Sequence, residues 1–257
     1  MKGKNQSGVA KRTHKKKLGK YYTPDWIVDF IVEHTLGPTL DEQPDRLLGE
    51  FTVLDPACGD GAFLLGVLRF LINRVSSNDE KEHRYALRSL VDCIYGVDVD
   101  PKAVQNCKKR LSIAASESLS VENNFNQRVL LGNSLLNEDD AADAVFGKTL
   151  AKMNPVDWQR FYPWVMRDGG FDVIVGNPPF IGIKGMDTKL KNYIRRKYRT
   201  VHKQFDILIP FIELGLRLLR PGGRLGFLIS NKILAADYGA PLRKHIVSNF
   251  IIEKIID

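Results

Sequence analysis

Apolar positions recur along this chain in two rhythms, one of helical spacing and one of short unbroken runs. Trp26, Ile27, Phe30, Ile31 and His34 follow the first. Thr23-Pro24 ahead of them reads as an N-cap with proline at the first helical position, and Gly37-Pro38 reads as the stop. After a polar connector, residues 51–54 predict a short buried strand that ends on Asp55, and residues 62–75 a helix. Residues 83–91 suit another helix. The unit then repeats, with a strand over 93–97 ending on Asp98 and a helix from Pro101 to about Ala115. Further strands are predicted over 128–131, 171–175, 225–229 and 251–256, with helices over 205–219 and 239–248 between the last three. Short apolar strands alternating with helices predict an α/β fold, a doubly wound, mostly parallel sheet covered on both faces.

The length of 257 residues suits one large or two small domains. Apolar residues make up 44% and charged residues 26%, which excludes a globally disordered chain. The cysteines, Cys58, Cys93 and Cys107, show no CxxC spacing, so neither a zinc site nor a disulfide framework is expected, and a reducing cytoplasm is the natural setting. The net charge of +8 is unevenly spread. Residues 1–20 hold eight Lys/Arg and no acid, with 1–17 reading as a flexible basic arm; residues 184–203 hold eight Lys/Arg and one acid, Asp187. The rest of the chain is acidic. Two basic segments on an acidic body suit a polyanion partner, or else a solubilising arm and a solvated helix face. Helical spacing is expected to spread the second set of charges around the helix axis, as suits a surface element.

In parallel sheets ligands bind beyond the carboxyl ends of the strands, where the strand order reverses. The first strand is followed by Asp55-Pro56-Ala57-Cys58-Gly59-Asp60-Gly61. Two glycines two apart permit a tight turn and close backbone approach to a ligand. The pattern is neither GxGxxG nor a P-loop, and Asp55 and Asp60 suit a cationic or amino-bearing ligand rather than a phosphate. After the second strand, Asp98 can accept both hydroxyls of a ribose and Val99 can pack on an adenine, while Asp100 reads as the cap of the helix that Pro101 opens. After the third, Asn133 either meets an adenine edge or caps a turn. After the fourth comes Asn177-Pro178-Pro179-Phe180. There the Asn amide and a proline carbonyl can accept hydrogen bonds from one amino group, and the aromatic can stack on a planar ring. The alternative is a rigid turn.

DPACGDGAF, GVDVDP, GNSLL and NPPF, in this order and behind LGKYYTP, resemble S-adenosylmethionine-dependent N6-adenine DNA methyltransferases. The similarity covers residues 17–257 and is strongest to the subclass that places its cofactor half first, in the methylase part of restriction–modification enzymes. It implies a Rossmann-like class I methyltransferase domain over 18–257. It also implies that Tyr22, Thr23 and Pro24 touch the methionine end of the cofactor, and that Asp55, Ala57, Gly59 and Gly61 form the cofactor loop. Asp98 then binds the ribose and Val99 packs on the cofactor's adenine, with Asn133 standing where many relatives have Asp. Asn177, Pro178 and Phe180 form the catalytic motif, with Asn177 also beside the cofactor and Phe180 in place of the commoner Tyr. No metal is implied. The expected reaction is methyl transfer to adenine N6 of duplex DNA, after the base leaves the helix. An RNA or protein-glutamine amino methyltransferase, or a silent DNA-binding subunit, is the rival. The family's sheet carries a seventh, antiparallel strand, with a second stacking aromatic just before it, and a target-recognition domain follows. The sequence ends at Asp257 without them, so an N-terminal portion of a longer enzyme, completed by a further domain or partner subunit, is expected.

Overall fold

The computed structural model describes residues 23–75, 86–119, 125–137 and 152–257. Tyr22, the basic arm and the start of the 83–91 helix lie outside the described residues. The described residues divide into two compact units, one of Thr23–Asn177 with Leu214–Leu228 and one of Pro178–Glu213 with Ile229–Asp257.

The first unit holds the sheet. Its strands are β1 (Val53–Asp55), β2 (Ile94–Asp98), β3 (Val129–Leu131), β4 (Phe171–Gly176) and β5 (Leu219–Phe227), in the order β3-β2-β1-β4-β5 and all parallel. The chain winds outward from β1 to β3 and returns on the other side of β1, so the order reverses between β1 and β4. The fold is therefore the doubly wound, Rossmann-like sheet expected, and the carboxyl ends of β1 and β4 meet at its switch point.

Helices α1 (Asp25–Asp41), α2 (Ala62–Arg74) and α3 (Pro101–Leu119) share one continuous core with the strands. Val28, Val32, Leu36, Leu64, Leu68, Leu71 and Leu111 are buried there against Val53, Ile94, Val129 and Val173. The opposite face carries an aromatic cluster in which Tyr95, Tyr162 and Phe171 meet edge to face at 5.1–5.9 Å. On β5, a side chain at Gly226 would strike Thr35 and Ile31 of α1, whereas Leu225 and Phe227 lie against Gly215. Alternate residues of one strand thus serve helices on opposite faces.

Three details depart from the sequence reading. Pro24 is the N-cap of α1 rather than its first residue, and its carbonyl accepts from the amides of Ile27 and Val28 at 3.1 and 3.2 Å. Gly37-Pro38 does not end the helix, which runs on to Asp41. An interior proline costs about 3 kcal/mol, but each large apolar side chain buried on this face returns about 1.5–3 kcal/mol, and Val28, Val32, Leu36 and Leu40 are all buried. Pro221-Gly222-Gly223 lies inside β5 instead of ahead of it, because the register shifts opposite Phe171 and Val173 and the strand absorbs the turn as a bulge.

The second unit contains α4 (Thr188–Lys197), residues 208–213 of α5 (Leu208–Leu218), and α6 (Ala240–Asn249). Tyr193, Ile194, Tyr198, Phe205, Ile209, Ile233 and Leu242 are buried in it. The sixth strand expected over 251–256 does not form. Residues 251–257 have no regular secondary structure, and Ile251 is 90% and Ile256 63% exposed. Their β-branched composition favours a strand, but a strand exists only where a neighbouring ladder takes its backbone groups, and the sheet of the described residues ends at β5.

Candidate active site

At the switch point β1 delivers Asp55, whose side chain is buried. Its Oδ1 accepts from the Ala57 amide at 3.0 Å. Burial pushes the Asp55 pKa up to about 8, against the pull of the Ala57 amide and with a further push from the charge of Asp98. The turn that follows needs its glycines. Gly59 and Gly61 have φ of +54° and +89°, values that cost an L-residue roughly 1–2 kcal/mol. A side chain at Gly61 would also lie 2.7 Å from the Cys107 sulfur, whereas at Gly59 it would enter open space. Ala57 and Gly59 are part-exposed on this loop, ahead of α2.

Asp98, at the end of β2, joins the next loop to the first. Its two oxygens accept from the amides of Gly59 and Asp100, at 2.9 and 2.8 Å. Asp100 caps α3 as expected, accepting from the Lys102 amide at 2.9 Å. Val99 stands 63% exposed beside them. After β3, Asn133 turns back on its own chain and accepts from the Leu135 amide at 3.2 Å. This is the turn-capping role that the sequence left as an alternative. Ser134 was not singled out from the sequence, yet its buried hydroxyl donates to the Pro56 carbonyl at 2.6 Å and ties the β3 loop to the β1 loop. Asn154 was also missed; its carbonyl accepts from the Asn133 amide at 2.7 Å. The Asn154-Pro155 pair was the available signal.

Gly176 closes β4, and a side chain there would sit 2.7 Å from Asp55 Oδ1. The glycine before Asn177 is thus required by the buried carboxyl across the switch point. Asn177 Nδ2 donates to Thr23 Oγ1 at 3.1 Å, while Asn177 Oδ1 is buried with no hydrogen-bond partner. Thr23 therefore does not cap α1; it orients the Asn of the NPPF motif, across 154 residues of sequence. In the second unit Pro178 is buried and Phe180 half-buried. The chain just beyond them is fixed by an antiparallel bridge between Gly182 and Asp206, with Ile183 N–H to Phe205 O at 3.1 Å and Ile207 N–H to Ile181 O at 3.0 Å.

The structure thus brings Thr23, Asp55, Ala57, Gly59, Asp98, Asn133 and Asn177 to the carboxyl ends of neighbouring strands of one sheet. The cysteines take no part as nucleophiles: all are buried and free, and hydrogen bonding to Cys107, with burial, pushes the Cys58 thiol well up. No group of three or more metal-ligating side chains occurs among the described residues. No helix of the described residues is long and apolar enough to cross a membrane.

Residues 92–257 match the model of the Eco57I restriction-modification methylase family. The chain belongs to that family. It is 30% identical to the type II restriction enzyme and methyltransferase RM.Eco57I of Escherichia coli, over 91% of this chain and 25% of the relative. It is 27% identical to the adenine-specific methyltransferase PglX of Streptomyces coelicolor, over 86% of this chain and 20% of the relative. Among solved structures, the DrdV–DNA complex superposes with a TM-score of 0.67 at 18% identity, covering 95% of this chain and 24% of that one, which shows a shared fold. The chain spans about a quarter of the length of such relatives.

Proposed function

We propose that this chain is the cofactor-binding and catalytic part of an adenine-specific DNA methyltransferase of a restriction–modification system, using S-adenosylmethionine and acting in the cytoplasm. One observation carries the reading. Asn177 Oδ1 is a buried acceptor with no donor, held in place from its amide side by Thr23, at the switch point of the sheet. An unmet buried acceptor costs about 1–3 kcal/mol, and the amino group of a bound base would relieve that cost.

The residues present fit the cofactor. The acids Asp55 and Asp98 suit a ligand with a cationic end and a ribose, and the space beside Gly59 admits it. Asp98 is the proposed ribose acceptor, with Val99 and Asn133 towards the adenine. Asp55, Ala57, Gly59 and Gly61, with Tyr22, Thr23 and Pro24, are assigned to the remainder. S-adenosylmethionine supplies a methyl group on a sulfonium. The adenine amino nitrogen is a poor nucleophile because its lone pair is delocalised into the ring. Asn177 Oδ1 and the Pro178 carbonyl would accept hydrogen bonds from the two N6–H groups and draw that lone pair out of conjugation, Phe180 would stack on the ring, and the one proton displaced from N6 would leave to solvent. The gain is one of position and electrostatics. Residues 18–257 form the methyltransferase domain in this reading, 1–17 a basic arm, and duplex DNA the substrate. Sequence recognition is assigned to the part of the longer relatives that this chain does not cover.

The test is nucleoside analysis of duplex DNA incubated with the protein and S-adenosylmethionine. N6-methyladenine is expected from the wild type completed by a recognition domain or subunit, and none from Asn177→Ala, whose folding is checked by urea unfolding. Methyl groups found on cytosine, RNA or protein glutamine instead would replace this reading.

A further inference from the structure

The second unit carries a charged surface that the chemistry above does not use. The antiparallel bridge between residues 181–183 and 205–207 closes the chain on itself directly after Phe180. Everything between, residues 184–204, is an excursion from that stem. Its centre is α4, which Asp187 caps by accepting from the amides of Lys189 and Leu190 at 2.8 and 3.2 Å.

The excursion is anchored through buried side chains, and Arg195 Nη2 also donates to the Lys203 carbonyl at 3.0 Å. Tyr193 and Ile194 are 2% and 0% exposed, and Tyr198 and Val201 are buried beyond them. The turn after α4 is held by Glu213, a buried carboxylate that accepts from the Arg199 amide at 3.1 Å, the Thr200 amide at 2.8 Å and the Thr200 hydroxyl at 2.6 Å. At about 100° per residue, Asn192 and Arg195 fall opposite Tyr193 and Ile194, Lys191 and Arg196 lie on the flanks, and Lys189 and Lys197 stand one turn before and after Tyr193. Lys189, Arg195, Arg196, Lys197 and Arg199 are exposed and Lys191 is half-buried. The charges are therefore spread around the axis, as the spacing suggested, and five of the six are exposed.

We infer that the exposed basic residues of α4 and of the turn to Arg199 form a clamp for the phosphate backbone of duplex DNA, carried on the same stem as the NPPF loop. This inference rests on the function proposed above and names the surface that would hold the substrate. Charge complementarity selects the partner: Asp187 is the only acid between residues 184 and 203, and it is engaged at the helix N-terminus. The stem gives the charge a purpose. Phosphate contacts on α4 would fix the excursion, and through the 181–183 bridge would hold the backbone next to Phe180 in register with the duplex. Such contacts position DNA without reading its sequence.

The experiment measures binding of the chain to a labelled duplex across a salt series. The variant Lys189→Gln/Arg195→Gln/Arg196→Gln is compared with the charge-keeping Arg195→Lys/Arg196→Lys. Each lost phosphate contact lowers the slope of log K against log salt by about 0.9, so the triple variant should be less steep by about 2–3 and weaker on the order of a hundredfold near 0.1 M salt. The Lys variant should keep the wild-type slope. Asn192→Glu, a single change on the exposed arc, should weaken binding at least several-fold and guards against misfolding of the triple variant. A wild-type slope in the triple variant, or wild-type affinity in Asn192→Glu, overturns the inference. A slope change on duplex RNA but not on DNA overturns it as well. Cofactor binding, measured in parallel, separates the two readings. Its absence from the wild-type chain would sink the proposed function, whereas an unchanged slope in a cofactor-binding chain sinks only the clamp.

Discussion

Asp55 offers a test of whether the switch point is electrostatically as tense as its geometry implies. Its carboxyl is buried, and its pKa is raised from 3.8 to about 8, first by burial, with the Ala57 amide pulling it down and the Asp98 charge pushing it up. The folded state therefore holds a proton that the unfolded chain gives up near pH 4. The stability linked to it is fully present below the unfolded value and is lost as pH rises to about 8. Over the whole interval that is on the order of 5 kcal/mol, and between about pH 5.5 and 8 about 3 kcal/mol. Asp55→Asn removes the titration and keeps an acceptor for the Ala57 amide. Urea unfolding of both proteins across this range should show the Asn variant gaining on the wild type as pH rises, by up to about 3 kcal/mol. A difference that stays constant with pH, or moves the other way, would refute the burial argument. With a cationic cofactor present the wild type should show the converse linkage: S-adenosylmethionine affinity should rise towards pH 8, and should lose that dependence in Asp55→Asn.

Other outcomes follow from single contacts. Gly176→Ala places a methyl 2.7 Å from Asp55 Oδ1, so thermal or urea unfolding should show a loss of about 1–3 kcal/mol. Glu213→Ala removes the acceptor of three hydrogen bonds and should cost about 2–4 kcal/mol, since bonds to a charged group are worth about 1.5–3 kcal/mol each before repair by water; wild-type stability would show the turn after α4 to be held by other contacts. Phe180→Ala should lose one base–aromatic stack of about 1–3 kcal/mol, read as a fall in methyl transfer to DNA, whereas Phe180→Tyr should retain activity.

Much of the architecture is written in local pattern. The strands that end on Asp55, Asp98 and Gly176 are largely apolar runs, as strands buried on both faces are, with Asp172 the charged exception that Arg46 and Arg220 pair, and the glycine turn and the proline pair mark where two of them stop. What was not legible depends on partners distant in sequence. The continuation of α1 through Gly37-Pro38 is decided by the sheet beneath it. The bulge at Pro221-Gly222-Gly223 is decided by the register of β4. The isoleucines at 251–256 have the composition of a strand but no ladder to join. In the site, the residue types were readable and their mutual contacts were not. Thr23 reads as a helix cap until Asn177 is placed beside it, and Ser134 reads as turn filler until Pro56 lies across from it. Asn133 has the chemistry for an adenine edge, and the structure commits its acceptor to the Leu135 amide.

Calorimetric titration of S-adenosylmethionine into the purified chain and into Asp98→Ala tests most directly whether the cofactor sits at the switch point. Asp98 joins two loops of the site and is the proposed ribose acceptor, so its loss removes charge-assisted bonds worth about 1.5–3 kcal/mol. One cofactor should bind per chain, with an affinity weaker by about 10- to 150-fold in the variant. No binding by the wild type, or equal affinity in Asp98→Ala, would contradict the placement of the methyl donor at the β1–β4 switch point.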